Sequence, residues 1–313
     1  MQAQQNEENY FVELANDASN STLVQLLILI FSTIAFFVNC LFLLAIDHEH
    51  APRRMKNIIA SYVLASILKA ATAASDSGRN VVIGATTGTT SPTKCLFQSP
   101  DLIMLVFTST YAVFAQLIVS LYALVASVWI YTPYSTREKI SDNLFIASVF
   151  VGILNVIVLV LVTIFKNQHE ISSRCFFDAV VPREYAVAHW FMVALVCYSS
   201  VLIYFSAFFI MRVNWSSRKR IKNHAVLVAL KREVESVQIL MPIFLHASVN
   251  DVIPISCRIL IAVGVWTPVL IEYWWLATCI ELCLFPVVYL YISHGGSWIL
   301  DAIKNFCLKL IKK

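Results

Sequence analysis

The chain has 313 residues, 59% of them hydrophobic and only 13% charged, with a formal net charge of +4. Soluble domains carry roughly 25% charged residues, so the composition excludes an ordinary soluble enzyme or binding module. Apolar stretches run through nearly the whole length, and no appended soluble domain is expected.

Seven such stretches can be marked, at 23–46, 58–74, 102–131, 144–165, 186–211, 237–265 and 269–293. In lipid only helices or closed barrels satisfy their own backbone groups, and these runs are far longer than the roughly 9–11 residues of a barrel strand. The expected fold is an all-α membrane protein, a seven-transmembrane helix bundle with a short amphipathic inner C-terminal helix. The division that follows is an extracellular N-terminus at 1–22, a seven-helix domain at 23–293 and a cytoplasmic amphipathic tail at 294–313.

Residues 1–22 hold Glu7, Glu8, Glu13 and Asp17 and no Lys or Arg, and the first apolar run is longer than a signal-peptide core. It reads as an anchor that sends the N-terminus outward. Basic residues then crowd the inner segments, above all Arg212, Arg218, Lys219, Arg220, Lys222, Lys231 and Arg232 and the tail lysines. The outer segments hold only Arg79, Lys94, Lys166, Arg174 and Arg183. The positive-inside rule gives N-out, C-in. The inner basic cluster suits anionic lipid or a cytosolic docking partner; nucleic-acid binding is not expected beside membrane spans.

In chain order, Asn20-Ser21-Thr22 is an outer glycosylation sequon with Asn20 as acceptor. Asn39 in the first span is expected to bond a neighbouring helix. His48 and His50 flank Glu49 in an inner turn and read as a solvated loop, not a metal site. The second span is the shortest and carries Lys69, which either snorkels outward or pairs with an acidic group on another helix. The connector 84–92 reads as a loop and has no phosphate-binding pattern.

The third stretch, 102–131, has no charged side chain, yet Thr108, Ser109, Thr110, Tyr111, Gln116, Ser120 and Tyr122 are scattered through it. That pattern suits a helix surrounded by other helices, and it is expected to be the central post of the bundle. Asn155 stands alone in the fourth span. Of eight cysteines, Cys40, Cys197, Cys257, Cys279 and Cys283 fall in spans and Cys307 lies inside. Cys95 and Cys175 are therefore the outer pair, and a disulfide between them is expected in that oxidising compartment.

The sixth span contains Pro242, Pro254, Asp251 and Arg258. The last two are seven residues apart on one helical face and could compensate each other or reach a shared water. The seventh opens on Glu272, Tyr273, Trp274 and Trp275, an interfacial aromatic belt, and carries Glu281 deeper. Beyond Gly295-Gly296, Ile299, Leu300, Ile303, Phe306, Cys307 and Leu310 form one apolar arc, an interfacial helix on which Cys307 can be palmitoylated. No His-Glu-x-x-His, no Gly-x-Ser-x-Gly and no paired membrane aspartates occur, so no enzyme, catalytic residue, metal or cofactor is expected.

Seven spans, an outer cysteine pair, a basic third inner loop and an amphipathic tail together resemble a G-protein-coupled receptor. Asn39 matches that family's first-helix asparagine, and Pro286-Val-Val-Tyr289 its seventh-helix Pro-x-x-Tyr, with Phe285 where Asn is usual. Val125-Ala126-Ser127 replaces Asp-Arg-Tyr, the second span lacks the sodium-site acid, and the sixth lacks the tryptophan-proline toggle. These departures, with Gln238-Ile-Leu-Met-Pro242, resemble the divergent serpentine chemoreceptors of nematodes.

The resemblance implies a chemosensory, olfactory type of receptor at the plasma membrane, with a small external ligand and a cytosolic heterotrimeric G protein as partners. It places the ligand between the outer halves of the third, fifth, sixth and seventh spans, where the sequence offers Thr108, Tyr111, Phe114, His189, Trp190, Val193, Arg258, Glu272 and Tyr273. Of these, Tyr111 is the leading candidate. It places G-protein contact at Arg218, Lys219, Arg220 and Lys222. The competing reading is a transporter or channel component whose path is lined by embedded charges, though no internal repeat accompanies it. An epitope inserted in the 212–235 loop is expected to be reached by antibody only after cells are permeabilised, and one inserted in the 166–184 loop on intact cells; the reverse pattern refutes the orientation.

Overall fold

The computed structural model describes residues 22–46, 53–83, 89–128, 134–166, 171–172, 175, 177–216, 224–262 and 269–294. Asn20, His48, His50, Arg218, Lys219, Arg220, Lys222, Cys307 and the expected amphipathic tail helix lie outside these residues. The order is α1 (Thr22–Ile46), α2 (Arg53–Ile83), β1 (Thr89–Thr90), α3 (Pro92–Gln98), α4 (Pro100–Val128), α5 (Tyr134–Lys166), β2 (Ile171–Ser172), α6 (Phe177–Val180), α7 (Arg183–Ser216), α8 (His224–Ala262) and α9 (Val269–His294).

The seven helices α1, α2, α4, α5, α7, α8 and α9 are long and apolar enough to cross a bilayer. The chain is an all-α seven-helix bundle and a multi-pass membrane protein. Its surface is that of a protein whose solvent is lipid. Leu41 and Leu44 on α1, Ile146 and Phe150 on α5, and Leu202 and Phe209 on α7 are exposed, while Asn39, Thr110, Gln116, Ser120 and Thr163 are buried. Such a large outward apolar face has no place on a water-soluble monomer.

α4 is the post around which the other helices stand. It packs against α2, α5, α7 and α8, while α9 closes the ring against α1. Its small and polar side chains, among them Ala112, Ala115, Ser120, Ala123 and Ala126, are buried, which lets neighbouring backbones approach closely. Asn39 behaves as expected: its Nδ2 donates to the carbonyls of Ala35 at 2.8 Å and Leu282 at 3.0 Å. That bond ties α1 to α9.

The second span is much longer than its apolar run suggests. Ser75-Asp76-Ser77-Gly78-Arg79-Asn80 reads as connector yet continues α2. The reason is tertiary. The Arg79 guanidinium meets Asp101 of α4 at 2.8 and 3.3 Å and Asp76 at 2.7 Å, so the cation of this polar turn is matched by carboxylates. A fork of this kind is among the stronger charged contacts.

One end of the bundle is clamped. Cys95 and Cys175 form the expected disulfide, with Cα atoms 5.5 Å apart. Cys95 sits on α3, a short helix where a connector was expected. Ser91 caps it, accepting from the Lys94 amide, and Pro92 fills its first turn, where a missing N–H costs nothing. Beside the disulfide β1 and β2 pair antiparallel, Thr89 with Ser172 and Thr90 with Ile171. Cys175 adopts a left-handed backbone, φ 56°, uncommon for a residue with a side chain.

α4 and α5 meet closely at Gly152. A Cβ there would lie 2.9 Å from the ring of Phe107, and that ring is stacked on Tyr111 at 6.0 Å. Overpacking of this kind costs about 1–3 kcal/mol. Gly152→Val is therefore expected to lower the thermal denaturation midpoint of the purified protein, and Gly152→Ala to lower it less.

Candidate functional site

A cavity of about 50 Å³ opens in the half of the bundle nearer the disulfide. Five helices line it: α2 with Lys69, α4 with Leu105 and Ser109, α7 with Trp190, α8 with Asn250, Asp251, Pro254 and Arg258 among others, and α9 with Trp274, Trp275 and Thr278. A volume of this size holds a few waters or a ligand of few heavy atoms.

Lys69 is ion-paired with Asp251. Both side chains are largely buried, at 14% and 5% exposure, so Lys69 reaches across to α8 and does not snorkel. Asp251 does not pair directly with Arg258, one of the two arrangements their shared face allows. One helical face does place them on one side of α8, but the acid is taken by the cation of another helix. Arg258 instead lies over the rings of Trp190 at 4.5 Å and Trp275 at 5.7 Å. Such cation–π contacts hold about 0.5–2 kcal/mol each, more as water is excluded.

Directly behind the cavity wall is a polar network that the sequence did not reveal. Asn155 Nδ2 donates to His189 Nδ1 at 2.9 Å and to Thr110 Oγ1 at 2.8 Å, and Tyr185 donates to Asn155 Oδ1 at 2.8 Å. With Nδ1 accepting, Nε2 of His189 carries the proton and donates to Ser109 Oγ at 3.1 Å. Each group is satisfied, so the network joins α4, α5 and α7 rigidly. Asn155 and His189 are isolated polar residues in sequence, and only the packing of three helices brings them together.

Towards the opposite end lies a second ring cluster. Tyr62 donates to His246 Nδ1 at 2.6 Å, and His246 Nε2 faces the Glu281 carbonyl at 3.3 Å. A carbonyl only accepts, so Nε2 holds the proton. Phe285 packs on His246 at 4.4 Å and on Tyr62 at 5.3 Å, and Tyr289 is fully buried beside Phe42. Asn250, on the cavity wall, is one turn from His246 and its amide lies 2.9 Å from Nε2.

Of the residues placed in the pocket by resemblance, Trp190 and Arg258 line the cavity. His189 lies one shell behind, against Ser109. Tyr111 is elsewhere on α4. It is 1% exposed, stacked on Phe107, edge-on to Phe145, and its hydroxyl donates to the Ser61 carbonyl, so it wedges α2 and α5 apart from the cavity. Thr108 is buried against Thr72, 3.4 Å between hydroxyls. Phe114 packs against an apolar cluster that includes Val113, Val193 and Ile255. Tyr273 is 56% exposed, as an interfacial belt residue would be. The Glu272 side chain lies outside what is described. Lys69, Asp251, Trp274 and Trp275 were recognised in sequence as embedded charges and a belt, not as one site.

Among the described residues no cluster of three or more His, Cys, Asp or Glu could hold a metal ion. No known family model matches the chain, and no curated protein does.

Removing one partner of a buried ion pair typically costs about 3–5 kcal/mol because the other charge is left unpaired. Lys69→Met and Asp251→Leu are each expected to lower thermal stability by an amount of that order. The double variant is expected to recover most of the loss, which denaturation of the three purified variants checks.

Proposed function

We propose that the protein is a chemosensory G-protein-coupled receptor of the plasma membrane. It binds a small external ligand and activates a heterotrimeric G protein. The observation that carries this reading is the convergence of α2, α4, α7, α8 and α9 on one cavity at the disulfide-clamped end. A site shared by five helices is where a ligand has leverage over their relative positions, since it shifts a conformational equilibrium only through contacts that differ between the two states.

In this reading the N-terminus and the Cys95–Cys175 end face outward, and Asn20 is available for glycosylation. The inner face presents Arg218, Lys219, Arg220 and Lys222 to the G protein, and Cys307 anchors the tail to lipid. α8 is the element that moves. Asp251 carries the cavity contact to Lys69, and His246, one and a half turns away, carries the contact to Tyr62 and Phe285. The protein acts by coupling and not by catalysis.

A transporter or channel reading rests on one specific observation, the ion pair between Lys69 and Asp251 within the spans, since embedded charges often mark a translocation path. Reconstitution separates the two. The purified chain with a G protein is expected to accelerate nucleotide exchange on addition of an active odorant, and liposomes holding the chain alone are expected to show no solute flux. Replacing Arg218, Lys219, Arg220 and Lys222 together by Ala is expected to weaken coupling about tenfold, roughly 1.4 kcal/mol, with ligand binding retained. Unchanged exchange leaves those residues a role in topology and lipid attraction only.

A further inference from the structure

The cavity lining holds buried polar atoms of both kinds that no described group satisfies. The indole N–H groups of Trp190 and Trp274 have no acceptor, and Asp251 Oδ2 has no donor although Oδ1 meets Lys69. Trp190 and Asp251 are each 4% exposed. Asn250 Oδ1 is also unmatched, but turning that amide brings its oxygen to the His246 N–H, so it carries no weight. Buried polar atoms are nearly always paired, and two donors and an acceptor left over on residues of one lining mark a place where a partner comes from outside the chain.

Charge narrows the chemistry of that partner. The lining has Lys69 and Arg258 against Asp251, one excess positive charge. Behind it stand Arg79, Asp76, Asp101 and Glu281, which together are more negative than positive. With cations in excess on the lining and carboxylates in excess behind it, a ligand that carries both signs finds an opposite charge for each end in this weakly screened interior. What the lining calls for is one end that accepts hydrogen bonds from two indoles beside a guanidinium, and another that donates to a carboxylate oxygen.

We propose that this cavity binds a small zwitterion of the α-amino acid type. Its carboxylate faces Trp190, Trp274 and Arg258, and its ammonium faces Asp251 Oδ2. The apolar remainder lies against Leu105, Pro254 and Ile255. The assignment deepens the receptor reading, since it names the ligand class, but its test does not need a G protein.

The full chain in lipid nanodiscs is titrated calorimetrically with alanine and leucine, with propionate and isocaproate, which lack the amine, and with ethylamine and isoamylamine, which lack the carboxylate. At least one amino acid is expected to bind, with both of its one-ended analogues weaker by about tenfold or more, the value of one lost hydrogen bond to a charged group. Asp251→Asn is expected to weaken amino-acid binding while leaving the acids little changed. Trp274→Phe keeps a ring in place, removes one N–H, and is expected to weaken the amino acids and acids alike; it serves where Asp251→Asn does not fold. Acids binding as tightly as amino acids, amines doing so, no probe binding at all, or amino-acid affinity unchanged in Trp274→Phe each overturn the proposal. If binding is seen but no nucleotide exchange follows, the zwitterion site stands and the receptor reading fails.

Discussion

A charged or hydrogen-bonding side chain within a bilayer must find its partner inside the protein, because lipid tails offer none. Lys69 and Asp251 meet that constraint across α2 and α8, and the arrangement of the cavity follows from it. A lysine halfway along α2 can be neutralised only if α8 turns Asp251 towards it. That rotation also places Arg258 two turns further on, over Trp190 and Trp275. It turns His246 towards Tyr62 and Ser248 towards Gln116 of α4, 3.3 Å away. The pair thus sets the angular position of a helix that otherwise packs lightly against α2.

The two halves of the bundle are built differently. Away from the disulfide, a continuous apolar core joins α1, α2, α4, α7, α8 and α9 through residues such as Phe42, Tyr62, Tyr122, Phe244, Phe285 and Tyr289. Stacking of Tyr204 on Phe244 at 3.8 Å ties α7 to α8 there. Near the disulfide, the core of Cys95, Leu102, Val106, Cys175 and Trp190 holds α3, α4, the connector between α5 and α7, and α7 as one block. Between them lies the cavity, where charges and unpaired indole groups are set among apolar side chains such as Leu105 and Ile255. A site of this construction is fixed on the α4–α7 side, and α8 meets it through Ile255 packed beside Val113 and Val193 and through the polar contact of Asp251 with Lys69. Polar contacts can be exchanged for those of a ligand more readily than an interdigitated core can be repacked.

Several site residues were legible for a physical reason. Lys69, Asp251 and Arg258 stand out because a charge inside an apolar run is costly and needs an explanation. Trp190 was reached only through the family resemblance, which places the outer half of the fifth span beside the ligand. The partners were not legible: charge identity says that Lys69 needs an acid, while helix rotation decides that the acid is Asp251 and that Arg258 goes to the tryptophans. Tyr111 shows the converse. Its place on the central post made it attractive, yet a residue at that height can face any of four neighbouring helices, and it faces α2 and α5.

By itself the amino-acid sequence determined that the chain crosses a membrane with seven helices, because hydropathy over some twenty residues depends only on local composition. It also determined which cysteines pair, since the spans leave Cys95 and Cys175 at the same end. Tertiary structure alone decided that α2 continues through Asp76 and Arg79, that Gly152 admits the Phe107 ring, that Asn155 and His189 share a proton network, and that five helices surround one cavity. Each of those depends on how helices are rotated and which of them touch. Rotation is set by the summed packing and pairing of residues far apart in the chain, a quantity that no local window contains.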